Sequence, residues 1–271
     1  MEPKVFDIEY RRKLLYKRKR RRQLIFQISI FLSVLCVLFF IILLGNKDNN
    51  VSSVNQKITT SSSSSAEKFV ICIDPGHGDW DTGAKGTTGV FEKDIVLNIS
   101  LKLGKLLESN GIKVVYTRTN DSLPWLETAN DSLKERIKIP EVFDADLFIS
   151  IHCNSNYDAP DSKGLETWYK LSNNDSKELS NIIQQYLLKL NYTEDRGLKT
   201  YKSKDDALAV LELNPSISSL IELGFLSNTS DEKYLNSDLG QNNCAKAIND
   251  AILSYIDRNK ESLINKRNSN D

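Results

Sequence analysis

The chain is 271 residues long and 40% hydrophobic, with 36 basic and 36 acidic side chains, enough for one sizeable globular core. Its formal neutrality hides a segregation: the first 44 residues hold ten of the basic residues and three of the acidic ones, which leaves 26 against 33 beyond them. A main body with a surplus of acid argues against nucleic acid as a partner, because neutralising phosphates takes an excess of Lys and Arg.

In chain order, residues 24–44, LIFQISIFLSVLCVLFFIILL, carry no charge and only three mildly polar side chains, Gln27, Ser29 and Ser33. At roughly 1.5 Å per residue this run can cross a hydrocarbon layer of about 30 Å. A cleaved leader is the alternative, but the run exceeds the usual apolar core of a leader, and Leu44-Gly45-Asn46-Lys47 is not a small-x-small cleavage site. The basic stretch RRKLLYKRKRRRQ before it reads as a topology determinant held in the cytoplasm. The expected organisation is a basic cytoplasmic tail over 1–23, a membrane anchor over 24–44, a flexible Ser/Asn-rich linker over 45–67, a folded domain over 68–260 on the outer side, and a flexible tail over 261–271.

Within the domain, apolar and β-branched runs alternate with helical spacing. Strands are expected at 69–74, 113–117, 146–152, 164–170, 208–211 and 218–223, and helices at 92–109, 132–143, 175–190 and 242–258, with Pro140 kinking or ending the second. Strands separated by helices imply parallel pairing. The fold class expected is therefore α/β: an α/β/α three-layer sandwich around a mostly parallel sheet of about six strands. Cys72, Cys153 and Cys244 read as small buried hydrophobes, with a Cys72–Cys153 bridge left open. No CxxC is present, so a thiolate zinc site has no support.

The chain has two histidines. His77 lies in a glycine-rich turn after the first strand and His152 at the end of another, and open α/β sheets bind ligands outside the carboxyl ends of their strands. Glu92 opens a helix and Glu222 sits inside the apolar run LIELGF, where a charge is costly without a partner. Two imidazoles and a carboxylate, with one position left open, form the ligand set of a hydrolytic zinc site, and a second carboxylate, Glu222, would then move protons. Each residue also has a plain structural reading: a satisfied histidine, a helix N-terminal acid, a salt-bridge partner. The loop DPGHGD lacks both the Lys-Ser/Thr ending of a P-loop and the GxGxxG spacing of a dinucleotide fold.

Four ordered segments, DPGHGDWDTGAKG, FEKDIVLNIS, ADLFISIHCN and IELGFLSN, resemble the zinc-dependent N-acetylmuramoyl-L-alanine amidases of bacterial cell walls, the group of autolysins and spore-cortex amidases. The likeness covers about residues 68–257. It implies one zinc ion held by His77, Glu92 and His152, catalysis by Glu222, and peptidoglycan as substrate, cut at the amide between N-acetylmuramic acid and L-alanine. Two positions depart from the common pattern: Asp79 stands where a second glycine is frequent, and Cys153 where alanine is frequent. Strand alternation turns Cys153 away from His152. Asp74 and Asn154, beside the histidines, are candidates for orienting imidazole or substrate, or simply for capping turns. Arg118 could grip a substrate carboxylate or serve a structural ion pair. Trp80 and Trp168 read as core or rim, and the loop 119–135 with Trp125 as a border of the substrate groove. A binding module of the same fold and a zinc peptidase acting on the stem peptide are the competing readings. The time of action and any regulatory protein partner are not encoded in these motifs.

Overall fold

A computed structural model describes residues 69–123, 128–171, 173–203 and 206–270. The expected anchor at 24–44, the tail and linker around it, and Trp125 lie outside the described residues. Among those described, no helix is long and apolar enough to cross a membrane.

The elements run β1 (Val70–Pro75), α1 (Glu92–Ser109), β2 (Lys113–Tyr116), α2 (Ala129–Val142), β3 (Leu147–Asn154), β4 (Leu165–Tyr169), α3 (Asn174–Leu188), β5 (Asp195–Lys199), α4 (Ala209–Glu212), β6 (Ile217–Phe225), α5 (Thr229–Leu235) and α6 (Asp238–Asn270). They build one six-stranded sheet in the order β2-β1-β3-β6-β4-β5. Four of the five pairings are parallel, and β4 runs antiparallel to β6. The reversal follows from the link between β3 and β4, which contains no helix: without a crossover the chain turns back from the rim it has just reached.

Strand alternation sorts the side chains between the two faces. Ile71, Ile73, Leu147, Ile149, Ile151, Cys153, Ile221 and Leu223 join the buried faces of α1, α3 and α6 in the main core. In α1 that face is Ile95, Val96, Ile99, Leu103 and Leu107, and each such side chain contributes about 1.5–3 kcal/mol by burial. The other face carries a smaller cluster of Cys72, Ala145 and Phe148, with Ile139 of α2 and Val210 of α4 packed against it. His152, two and four residues from Ser150 and Phe148, points to this thinly covered face.

The expected strand at 208–211 is the helical turn α4, and the fifth strand is β5, whose sequence DRGLK has no apolar alternation. Residues 261–270, expected as a flexible tail, continue α6, because Leu263 is buried in the main core and Arg267 pairs with Asp146. Pro140 lies inside α2, which ends two residues later at Val142. Cys72, Cys153 and Cys244 are buried free thiols. Cys72 and Cys153 belong to clusters on opposite faces of the sheet, which rules out a bridge between them.

Candidate metal centre

After β1 the chain moves to β2 on one side, and after β2 it returns to β3 on the other. The crevice at the carboxyl ends of β1 and β3 is thus where the strand order reverses. His77 follows β1 and His152 lies two residues before the end of β3, where the ladder with β6 is irregular between His152 and Asn154. Glu92 is the first residue of α1. The three offer ligand atoms that all lie within 4.8 Å of one another.

Glu92 Oε1 is the focus. It stands 3.1 Å from His77 Nε2 and 3.0 Å from His152 Nδ1, and it also accepts the Cys153 N–H at 2.9 Å, while Oε2 accepts the Ala84 N–H at 2.9 Å. The two rings meet edge to face at 4.8 Å between centroids. On its far side His77 Nδ1 lies 2.9 Å from Asp81 Oδ1, a carboxylate placed as those that orient metal-binding histidines are. Burial pulls the His77 pKa down, but its hydrogen bonds and charge interactions with Asp81 and Glu92 prevail and raise it to about 9. Burial pushes the Glu92 carboxyl up, and the two histidines outweigh it and hold Glu92 well below the usual range. Two imidazole nitrogens and a carboxylate oxygen within 4.8 Å of one another fit zinc by donor type and number.

Two glycines make the approach possible. A Cβ on Gly76 would stand 2.3 Å from the His152 ring, and one on Gly83, at φ 61°, would stand 2.5 Å from Glu92 Oε2. His77 itself takes φ 58° and Asp79 φ 57°, a left-handed backbone that costs a non-glycine residue about 1–3 kcal/mol.

Glu222 faces His152 across the β3–β6 ladder. The residue is half-buried, yet its Oε2 is buried and has no hydrogen-bond partner among the described residues. Burial first, then the neighbouring charges of Glu92 and Glu166, raise its pKa well above 4.5, against a smaller opposing pull from His77. A cleft of about 290 Å³ opens beside both histidines, bordered by Trp80, Leu133, Arg136 and Val210.

The remaining sequence candidates are placed differently. Asp74, fully buried, accepts hydrogen bonds from Thr117 Oγ1 at 2.6 Å and Ser150 Oγ at 2.8 Å, and pairs with Arg136. Burial pushes its carboxyl up, but Arg136 and the hydroxyls hold it below 3.8. Asn154 Nδ2 donates to Glu166 Oε1 at 3.2 Å. Arg118 is buried and donates to the backbone carbonyls of Pro75, Gly76 and Lys93 rather than to the carboxylate of a structural ion pair. Trp168 Nε1 donates to Glu166 Oε1 at 3.0 Å, whereas Trp80 is 55% exposed on the rim. Asp81, Arg136 and Glu166 escaped the sequence reading. Only Asp81 left a signal, as an acid four residues beyond a histidine in a glycine turn.

Residues 71–254 match the family model described as N-acetylmuramoyl-L-alanine amidase. Over 187 residues the chain is 37% identical to N-acetylmuramoyl-L-alanine amidase LytC of Bacillus subtilis, a match covering 68% of this chain and 35% of LytC; the chain thus spans about a third of that relative. A putative N-acetylmuramoyl-L-alanine amidase of Buchnera aphidicola is 31% identical, with 69% of this chain and 96% of that protein covered. Among solved structures, the CwlD amidase of Clostridioides difficile in complex with the GerS lipoprotein aligns with TM-score 0.65 and 37% identity, over 70% of this chain and 99% of that one. The catalytic domain of CwlV from Bacillus (Paenibacillus) polymyxa aligns with TM-score 0.61 and 34% identity, over 70% and 98%.

Proposed function

Because the chain belongs to the N-acetylmuramoyl-L-alanine amidase family, we propose that it hydrolyses peptidoglycan with one zinc ion, cutting the amide between the lactyl group of N-acetylmuramic acid and the L-alanine of the stem peptide. The observation that carries this reading is the convergence of His77, Glu92 and His152 beside the unpartnered Oε2 of Glu222. Zinc bound there supplies Lewis acidity, polarising the scissile carbonyl and making a water acidic enough to lose its proton near neutral pH.

The chain's own groups do the rest. Asp81 holds His77 Nδ1 so that Nε2 faces the centre, and the N–H groups of Ala84 and Cys153 fix both oxygens of Glu92. Glu222 takes the proton of the attacking water at Oε2 and delivers it to the departing nitrogen. Water oxygen bonds to the carbonyl carbon, the C–N bond breaks, and the products are a lactyl carboxylate on the glycan and the free amine of L-alanine. The cleft beside the histidines leaves room for the substrate flanking that bond.

We also place the domain outside the cytoplasmic membrane on a single N-terminal span. The uncharged run 24–44 behind a basic segment supports this. A tether of this kind raises the effective concentration of enzyme at the wall. The likeness to the CwlD–GerS structure makes a lipoprotein partner a further proposal, tested by co-purification.

Mass spectrometry of peptidoglycan digested by the zinc-loaded full chain tests the activity. The expected products are intact stem peptides beginning with L-alanine. Peptides cut internally point to a zinc peptidase, and binding without release, by folded and metal-loaded protein, points to a wall-binding module.

A further inference from the structure

We propose that Arg118 and Arg136 are positioning residues, a pair of guanidiniums that sets the backbone of residues 75–77 so that His77 meets Glu92 and His152 before any ion arrives. The inference rests on the reading of those three side chains as a ligand set. Arg136, on α2, donates Nη1 to Pro75 O at 2.7 Å and to Asp74, Nη2 to His77 O, and Nε to Ser132 Oγ at 3.2 Å. Arg118, just beyond β2, donates Nε to Pro75 O at 3.1 Å and Nη2 to Gly76 O at 2.7 Å. The same Nη2 reaches Lys93 O at 2.8 Å, and Nη1 reaches Asn120 O at 3.4 Å.

Three consecutive carbonyls, those of Pro75, Gly76 and His77, are thereby held from two directions. Arg118 also ties this loop to the residue after Glu92, so a single side chain fixes the spacing between two members of the set. A clamp is needed here because His77 occupies the left-handed region, which the loop's own preference does not select. Asp74 holds Arg136 in turn, anchored by the hydroxyls of Ser150 in β3 and of Thr117 just past β2. Lysine cannot substitute: it has three donors at one point, whereas guanidinium presents five in a rigid plane and can span separate carbonyls.

Zinc affinity of the full chain, stripped by chelation and titrated against a chromophoric competitor, tests the clamp without reference to activity. Arg118→Lys and Arg136→Lys are each expected to weaken zinc binding by about 10- to 100-fold, the usual effect of losing a group that orients ligands. Arg267→Lys, which disturbs an Arg–Asp pair at the opposite end of the domain, is expected to leave zinc affinity unchanged while lowering stability. Clamp variants within twofold of the parent, or an equal loss in Arg267→Lys, overturn the proposal. A parent that binds no zinc overturns the ligand reading and the clamp together. Backbone order parameters of the metal-free parent add a test that needs no variant: Gly76 and His77 are expected near about 0.85, and values below about 0.6 contradict a preset loop.

Discussion

Glu166 and Glu222 stand opposite each other across the antiparallel β4–β6 ladder. Glu166 uses both oxygens: Oε1 accepts from Asn154 and Trp168, and Oε2 from Arg196 at 3.0 Å. Glu222 Oε2 has no such partner. Two carboxylates in unlike surroundings separate in role, one held by donors and the other suited to carry protons.

The charge of Glu166 is one of the causes that raise the Glu222 pKa, after burial and Glu92. Glu166→Gln removes that charge and keeps an acceptor oxygen. With Glu222 as the proposed base, the acid limb of the kcat/KM profile, where Glu222 would gain the blocking proton, is expected to move to lower pH. Profiles of parent and variant on the same muropeptide check this, and a limb that stays in place contradicts it.

Glu222→Gln should lower kcat by about 10²- to 10⁴-fold, the usual worth of positioned acid–base catalysis, with zinc still bound. Stability moves the other way. A carboxyl whose folded pKa lies above 4.5 keeps its proton in the native state after the unfolded chain has released it, so stability falls as pH rises from 4.5 toward the folded value. The metal-free variant is therefore expected to resist urea better than the metal-free parent at pH 7, and the gap should close below pH 4.5.

His77 gives the metal-free protein a second pH dependence of known sign. Its folded pKa of about 9 exceeds the ordinary 6.5, so its contribution is complete below 6.5 and is lost as pH rises through 9. Zinc must displace that proton. Calorimetric titration at pH 7 in buffers of different ionisation enthalpy is expected to show proton release on zinc binding, and Asp81→Asn, which removes one of the groups that raise His77, is expected to reduce it.

The end of α6 belongs to the folded body. Leu263 is 4% exposed, and Leu263→Ala is expected to cost about 2–4 kcal/mol, read as a lower urea midpoint with an unchanged slope. Truncation after residue 260 should cost more, since it also removes the Arg267–Asp146 pair, and Asp146 in turn accepts the Val70 N–H that begins the sheet.

Strong local patterns made much of this fold readable. β1, β3 and β6 are largely apolar runs buried along most of their length, and α1 repeats Ile, Val and Leu at helical spacing. The convergence of His77, Glu92 and His152 was legible because each ends a strand or opens a helix, and in a parallel sheet those points share one rim. β5 was not legible, since DRGLK lies on an edge and owes its pairing to β4. LAVL at 208–211 is too short an apolar run for periodicity to tell strand from helix. The contacts of Arg118 and Arg136 were hidden for another reason: their partners are backbone carbonyls, which leave no trace in side-chain identity.

X-ray absorption at the zinc edge of the full chain loaded with one equivalent of zinc tests the central claim most directly. The account predicts a first shell of nitrogen and oxygen only, with the outer scattering of two imidazole rings that falls to one in His152→Ala. A shell containing sulfur from Cys153, or one without imidazole scattering, would contradict it.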